Sequence, residues 1–314
     1  MRHTGCPRPA FMSETPVTPD LDASPAEGVL QSLLAAYQLR ARLTDRLELC
    51  GRWEEPEPDA PLAWFHLVEQ GRCYIRADIL PRPLCLEAGD LVLFPGGAAH
   101  LLCSAAEPAQ ESDQASAVLL CGEFEFEGQA AAPMIQALPP CLVVPSSAGG
   151  PSLRGLASLL RDEAQRRAFG SRAVMDKLSD ALFVIALRHH LQQRGELRGL
   201  LSALVDPRLA PALAAIHGAP GDSWTVASLA ERAHQSRAAF AQRFNEVLGE
   251  PPMRYLARWR MTEALRLLRD PRLSVAAVSG QLGFETEAAF RRGFKRIHGY
   301  GPGQARRNAR ANKA

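Results

Sequence analysis

The sequence lacks the features of membrane and secreted proteins. No uncharged apolar run in its 314 residues approaches the roughly 18 residues that a membrane span needs. The first nine residues, Met1-Arg-His-Thr-Gly-Cys-Pro-Arg-Pro, contain no apolar run of the kind found in signal peptides. We therefore expect a cytoplasmic protein that does not bind membranes. Residues 1–20 are rich in Pro, Ser and Thr and are expected to form a disordered tail.

The cysteines argue against two kinds of site. All seven lie in the N-terminal half, their number is odd, and no CxxC pair occurs. Without a secretion signal, this set argues against a disulfide scaffold and against a zinc ribbon. A buried core position is the ordinary interpretation of each cysteine. Cys73 and Cys85 stay candidates for oxidant-sensing thiols: Arg72 would favour a thiolate at Cys73, whereas acidic residues follow Cys85.

Charge is distributed unevenly along the chain. From Pro207 to the end there are 18 Lys and Arg residues against 8 Asp and Glu, whereas the remainder carries 18 against 26. A basic region joined to an acidic one indicates that the C-terminal part meets a polyanion. Charge alone leaves DNA, RNA and acidic proteins open as partners.

Two copies of one helix–turn–helix pattern lie about fifty residues apart in this basic region. The first unit (residues 226–247) places Ser236 at the start of its second helix, and the second unit (residues 275–297) places Thr286 there. A hydroxyl at this position caps the free N–H groups of the first turn. Regularly spaced phenylalanines give each second helix one apolar face. The opposite face is then free to enter a DNA groove.

The free faces carry side chains suited to bases. Gln and Asn suit adenine edges, and Arg suits guanine. A helix predicted over residues 252–268 would join the two units and span about 25 Å, a suitable strut for reading helices roughly 34 Å apart. The candidate DNA-binding residues are Ser236, Arg237, Ala238, Ala241, Gln242 and Asn245 in the first unit and Glu287, Ala288, Arg291, Arg292 and Lys295 in the second.

Over about residues 209–307 the chain resembles the AraC/XylS family of transcription regulators. The resemblance depends on the paired units, on Gly249-Glu-Pro-Pro-Met-Arg-Tyr-Leu-Ala-Arg-Trp-Arg-Met261 and on Ala277-Val-Ser-Gly-Gln-Leu-Gly-Phe284. It implies a two-headed reader with one helix in each of two successive major grooves of double-stranded promoter DNA. The sequence departs from the family at His234, where Gly is usual and strain is expected. Ala238 and Ala241 are small, so the first unit is expected to discriminate bases less than the second.

The N-terminal region shows short apolar runs separated by Gly, Pro and acidic residues, which predicts an antiparallel sheet or barrel. Gly89-Asp-Leu-Val-Leu-Phe-Pro-Gly-Gly-Ala-Ala-His100 resembles the second cupin motif, with His100 pointing inward. The first cupin motif is degenerate, since only His66 and Glu69 lie near Gly71. A metal needs three or four ligands. His66 and His100 supply two, so we expect no cofactor, and these two residues are the metal candidates if one binds.

This region also resembles the cupin-type sensor domains found ahead of AraC-type readers, which implies sensing of a small molecule or oxidant. The fold class expected is α+β in two domains, an N-terminal cupin-like β-barrel with flanking helices and a C-terminal all-α domain with two helix–turn–helix units. The expected divisions are a sensor at 21–145, a helical dimerisation segment at 146–200, a linker at 201–206 and the DNA-binding domain at 207–310.

The sequence thus predicts a sequence-specific transcription regulator, not an enzyme. We expect an activator and a homodimer that contacts RNA polymerase. Three alternatives stay open at this point: a cupin metalloenzyme with an attached DNA-binding domain, a redox-responsive regulator acting through cysteine thiols, and a DNA binder without sequence preference. The inducer and the target promoters are not readable from the residues.

Overall fold

The computed structural model describes residues 25–37, 39–105, 116–126, 132–166, 168–193 and 197–311. The tail predicted for residues 1–20 lies outside these residues.

The described residues of the N-terminal half form eight strands and four helices. The strands are β1 (Arg40–Cys50), β2 (Glu54–Glu57), β3 (Ala63–Arg76), β4 (Leu84–Glu87), β5 (Leu91–Phe94), β6 (His100–Cys103), β7 (Ser116–Glu125) and β8 (Leu142–Val144). The helices are α1 (Pro25–Tyr37), α2 (Ala132–Ala137), α3 (Gly150–Arg166) and α4 (Ser171–Gln192).

All strand pairs are antiparallel, and the long strand β3 belongs to both layers of the sheet. One layer follows the order β1-β7-β3-β5-β8, and the far end of β3 pairs with β4 and β6 in the other layer. The prediction of a mixed fold with an N-terminal cupin-like sheet is confirmed. Among the described strands the pairing path ends at β1 and β8, so hydrogen bonds do not close a barrel between them.

Side chains alternate between two apolar cores along the strands, as the two-residue period of a strand requires. On β3, Phe65 packs in the core beneath the helices, whereas Val68 packs in the core between the two layers. Phe94 and Leu119 are also fully buried between the layers. The described interior between the layers is therefore lined mainly by buried apolar side chains.

The C-terminal half is helical throughout its described length. Its helices are α5 (Gly199–Val205), α6 (Ala210–Gly218), α7 (Val226–Arg232), α8 (Arg237–Leu248), α9 (Pro252–Leu268), α10 (Val275–Gln281), α11 (Glu287–His298) and α12 (Pro302–Ala311). The predicted strut over residues 252–268 is confirmed as α9.

The segment expected to be a linker at 201–206 differs from that prediction. Most of it belongs to α5, whose Leu201 and Leu204 are almost fully buried. The first helix inside the predicted DNA-binding domain, α6, begins at Ala210. The Asp206 carboxylate accepts from the Arg208 N–H at 2.9 Å and holds a turn there.

One continuous core joins the helices of the sensor half to the first unit. Helix α1 packs against α6 and α9, and its Val29 and Leu33 are fully buried. The second unit has a separate core. Among the described residues no single helix is long and apolar enough to cross a membrane, although α5 and α6, bent by 105°, pass that test as a pair.

Candidate nucleic-acid interface and sensor site

The first unit is assembled by two hydroxyl caps. The Thr225 side chain accepts from the Ser228 N–H at 3.1 Å, and the Ser228 hydroxyl accepts from the Thr225 N–H at 2.9 Å. The Ser236 hydroxyl accepts from the Ala239 N–H at 3.3 Å and begins α8. These bonds satisfy N–H groups that a helix leaves free at its start. The predicted cap at Ser236 is confirmed.

The second unit repeats this construction. Ser274 caps α10 through the Ala277 N–H at 3.0 Å, and Thr286 caps α11 through the Ala289 N–H at 3.2 Å. In both units the two phenylalanines of the second helix are fully buried, which turns the opposite face towards solvent. These residues are Phe240, Phe244, Phe290 and Phe294.

The turns of the two units differ at one position. His234 has φ 52° and is the one non-glycine residue with positive φ among the described residues. The corresponding turn of the second unit has Gly283 at φ 73°. A side chain in this left-handed region raises the energy of the backbone. The strain expected at His234 is confirmed.

The structure brings each predicted set of DNA-contacting residues to one outer helix face. Nine of the eleven are exposed, and Ala241 and Glu287 are half-buried. Within the second face, Glu287 accepts from the Arg291 Nε at 2.6 Å. Within the first, the Gln242 side chain donates to Glu246 at 2.8 Å. These groups must change partners before they can meet bases, so their roles on DNA stay predictions.

Two histidines and one cysteine form a polar chain inside the sheet. The Nε2 atoms of His66 and His100 are 2.7 Å apart, and His66 Nδ1 lies 3.1 Å from the Cys121 Sγ. His100 Nδ1 donates to the Ala98 carbonyl oxygen at 2.8 Å. With neutral rings, one scheme satisfies every contact: His66 donates through Nε2, and Cys121 donates to its Nδ1.

Burial keeps both histidines neutral. It lowers the pKa of His66 well below the usual value, with a smaller contribution from His100, and it lowers the pKa of His100. His100 also stacks on Phe94, with ring centroids 3.9 Å apart. The inward orientation predicted for His100 is confirmed. Cys121 lies 21 residues beyond the motif that ends at His100, and only its place in an inward-facing strand position could have indicated it.

His66 and His100 were the metal candidates, but the residues present do not fit a metal. Two metal–nitrogen bonds of about 2.0–2.1 Å at a tetrahedral angle would separate the histidine nitrogens by about 3.4 Å. The observed 2.7 Å is a hydrogen-bond distance. Glu69 faces elsewhere, because Arg46 Nε donates to it at 2.8 Å. Among the described residues no group of three or more His, Cys, Asp or Glu side chains is placed to hold a metal ion.

The two candidate sensing thiols lie on opposite faces of one strand pair. In the β3–β4 register Cys73 is opposite Leu86, whereas Cys85 is opposite Tyr74. Cys73 is fully buried, and burial raises its pKa to about 12. Arg72 is exposed and pairs with Glu87 at 3.1 Å, so the expectation that it favours a Cys73 thiolate was wrong. Cys85 is exposed.

A cavity of about 710 Å³ lies outside the sheet, between β1 and the α3–α4 pair. It adjoins an irregularity in the pairing of β1 with β7, where Thr44 is skipped and donates to the Cys121 carbonyl oxygen at 3.1 Å. Arg46, Gln165 and Arg172 supply polar groups to its wall. The cavity wall therefore combines hydrogen-bond donors with acidic side chains, and it lies next to the strand that holds Cys121.

Two family models match the chain. One, described as Cupin, covers residues 28–192, and the other, described as Helix-turn-helix domain, covers residues 229–308. A protein of Streptomyces antibioticus, named as an AraC-like transcription regulator, is 30% identical over 299 residues, which cover 89% of this chain and 98% of that protein. The RCS-specific HTH-type transcriptional activator RclR of Escherichia coli is 30% identical, covering 72% of this chain and 78% of that one.

Among solved structures, the chain is similar to the DNA-binding domain of AdpA in complex with a target DNA. The two are 34% identical, with 34% of this chain and 96% of that chain covered and a TM-score of 0.33.

Proposed function

Since this chain belongs to the AraC-type transcription regulators and carries an N-terminal cupin domain, we propose that α8 and α11 read promoter DNA in two successive major grooves. The observation that supports this most is the pair of solvent-facing helices joined by α9, whose 17 residues span about 25 Å. Grooves on one side of B-DNA repeat about every 34 Å. We infer a cytoplasmic location, because a regulator that binds promoters has to share a compartment with its DNA.

Side-chain chemistry assigns a role to each reading face. Gln242 and Asn245 on α8 suit adenine edges, whereas Arg291 and Arg292 on α11 suit guanine. The Glu287 carboxylate holds Arg291 along the helix in the absence of DNA. When DNA binds, the Glu287 carboxylate either releases Arg291 or accepts a hydrogen bond from a cytosine amino group. Lys295, at the exposed end of α11, is placed to neutralise a phosphate.

The test compares specific with nonspecific binding. Arg291→Ala and Arg292→Ala should each weaken binding to a duplex selected by the wild-type chain by about 1–3 kcal/mol, with little effect on random duplex. Anisotropy titrations at about 150 mM salt measure both. Arg154→Ala, an exposed arginine of α3, is the matched control. Equal losses on both duplexes would assign the arginines to phosphates.

A homodimer is supported by apolar side chains exposed on the α3–α4 pair. Leu159 on α3 and Val174 on α4 are exposed by 55% and 45%, and Phe169 between the helices is fully exposed. Exposed apolar groups gathered on one helical pair are typical of protein–protein contacts. We place a second copy of the chain on this surface.

Sedimentation of the full chain tests the dimer. Phe169→Glu and Leu159→Glu should each shift the chain towards monomer, because a charge in an apolar contact is costly. Arg154→Glu on the same helix should leave the mass unchanged. A dimer that withstands both apolar substitutions would move the contact elsewhere.

We place effector binding in the cavity between β1 and α3–α4, since buried apolar side chains and the His66–His100–Cys121 chain occupy the described interior of the sheet. A signal in this cavity reaches the DNA-binding helices through α1, which precedes β1 in the chain and packs on α6. The expected output is activation through RNA polymerase. A thermal-shift screen of polar metabolites supports this placement if Arg172→Ala abolishes a hit and Arg154→Ala does not.

An oxidant is the second candidate signal, because one relative is named as an RCS-specific activator. Among the described cysteines, Cys50 and Cys85 are the exposed ones, whereas Cys73 is buried. Reporter output with and without hypochlorite tests this for Cys50→Ser, Cys85→Ser and, as buried control, Cys73→Ser. An unchanged response in the first two variants removes these thiols.

A further inference from the structure

The turn of the second unit touches the loop that precedes the first unit. A Cβ added to Gly221 would lie 2.1 Å from the Gln281 carbonyl oxygen, and a Cβ added to Gly283 would lie 2.1 Å from the Gly221 carbonyl oxygen. Two backbones approach this closely only where neither carries a side chain. The second unit is therefore in direct contact with the loop that leads into the first unit, besides being joined to that unit through α9.

Arg260 of α9 holds this contact from the side. Its Nε donates to the Pro220 carbonyl oxygen at 2.6 Å, and its Nη2 donates to the Asp222 carbonyl oxygen at 2.8 Å. The same guanidinium lies 5.8 Å from the ring centroid of Phe284, which follows Gly283 in the second unit. One side chain thus bonds the loop of one unit and lies against the turn of the other.

The loop that receives these bonds is itself held in place. The Trp224 Nε1 donates to the Ala219 carbonyl oxygen at 2.8 Å, and the Trp224 N–H donates to the Asp222 carbonyl oxygen at 2.8 Å. Arg260 is half-buried, and burial lowers its pKa while Asp222 opposes that shift. Only a planar, forked side chain reaches two such carbonyls together, so lysine is a poor substitute.

We infer that Arg260 is a positioning residue that sets the spacing between the two reading helices, and with it the half-site spacing that this protein accepts on DNA. The inference rests on the proposed reading of DNA by both α8 and α11. One extra base pair between half-sites moves the second half-site by about 3.4 Å and rotates it by about 34°. A rigid pair of units cannot follow that change, whereas a loosened pair can.

The experiment uses the full chain and duplexes selected from a random library by the wild-type protein. From the selected bipartite site we would build duplexes with one or two base pairs added or removed between the half-sites, plus a duplex with one half-site. Wild type should bind about tenfold less tightly for each change of one base pair. Arg260→Met should bind the selected spacing less tightly than wild type does. Its affinities for the altered spacings should lie within about threefold of its own affinity for the selected spacing.

Glycine variants test the contact without removing a charge. Gly221→Ala should flatten the spacing profile as Arg260→Met does, because its Cβ pushes Gln281 away. Gly218→Ala, for which nothing lies within 4 Å of the added Cβ, is the matched control and should keep the wild-type profile. Arg254→Met removes an exposed arginine of α9 and controls for lost charge.

The outcomes separate two failures. If Arg260→Met and Gly221→Ala keep the steep wild-type profile, or lose the same factor at every spacing, Arg260 does not set the spacing. If one of them does not fold, the profile of the other decides. If the wild-type chain selects a single half-site, reading by two helices fails and the assignment of Arg260 fails with it.

Discussion

The two helix–turn–helix units have the same backbone plan but different surroundings. Phe240 and Phe244 of the first unit belong to the core that contains Leu33 of α1 and Leu201 of α5. The phenylalanines of the second unit pack only with its own helices, α9 and α12. The sensor half therefore contributes to the stability of the first unit directly, whereas in the described residues it reaches the second unit through α9, Arg260 and the loop at Gly221.

Their reading faces differ as well. The first presents neutral Gln242 and Asn245, whereas the second presents Arg291, Arg292 and Lys295. Phosphate contacts make binding depend on salt, and base contacts carry sequence information. With Arg237 as its one cation among the candidate residues, the reading face of the first unit is the less strongly charged of the two.

Shortening a buried side chain of α1 is expected to have the largest effect on the difference in stability between the two units. Leu33→Ala deletes a fully buried side chain and should cost about 2–5 kcal/mol. The loss should appear in the first unit, because that unit shares the core of α1. Hydrogen exchange of the full chain measures it: amides of α6 to α8 should lose protection, while those of α10 and α11 keep theirs.

The matched control is Gln31→Ala on the exposed side of α1. It should leave both units protected as in the wild type. Equal loss of protection in the two units after Leu33→Ala would mean that they unfold as one body, and the distinction drawn here would disappear.

The next largest effect is expected from acid, which should destabilise the core that α6 shares with the first unit. Burial, followed by the charge of Arg258, lowers the pKa of His217 to about 3, from 6.5. Below pH 6.5 the unfolded chain binds a proton that the folded chain does not, so stability present above that pH falls as pH decreases towards 3. At about 1.4 kcal/mol per pH unit, the loss reaches about 2 kcal/mol at pH 5.

Tryptophan fluorescence reports this change, because the rings of His217 and Trp259 have centroids 3.9 Å apart. His217→Gln keeps a group that can bond the Tyr255 hydroxyl, now 2.7 Å away, but does not titrate. Its acid transition should therefore be shallower than that of the wild type. An identical transition in both proteins would assign the acid sensitivity to other groups, such as His66 and His100.

The sequence predicted the DNA-reading half well, for local reasons. The caps at Ser236 and Thr286, the strut α9 and the strain at His234 each depend on residues a few positions apart. The docking of α1 on α6 was not predicted, because it joins residues about 180 positions apart and leaves no periodic signal. Arg260 was missed for the same reason, since its partners lie 38 to 40 residues away.

The sensor half was predicted less completely. The cupin motif correctly placed His100 inside the sheet, because the motif combines a turn, a strand and a second turn in twelve residues. His66 bonds both His100 and Cys121, and this arrangement depends on the register of three strands. No local sequence pattern contains that register, so the distances between these three side chains could not be predicted from the sequence.

Removal of the helix caps sharpens the comparison at a smaller scale. Ser236→Ala and Thr286→Ala should each cost about 1 kcal/mol, because one N–H group at the start of each reading helix loses its acceptor. Hydrogen exchange without DNA should show loss confined to α8 in the first variant and to α11 in the second. Loss in α1 after Ser236→Ala, with none after Thr286→Ala, would extend the coupling of the first unit back to the sensor.

The smallest expected effect concerns the turns. His234→Gly removes the side chain that makes φ 52° unfavourable, but it also gives the unfolded chain more freedom. The left-handed conformation costs roughly 1–2 kcal/mol, and the extra freedom of glycine in the unfolded chain offsets about 0.5–1 kcal/mol, so a net gain of about 0–1.5 kcal/mol is expected. The reverse change, Gly283→Ala, should be destabilising, since the new Cβ meets the Gly221 carbonyl oxygen at 2.1 Å. Thermal unfolding of both variants measures the pair. A lower midpoint for His234→Gly would mean that the exposed imidazole stabilises the first turn, and that the two units differ there by interaction and not by strain.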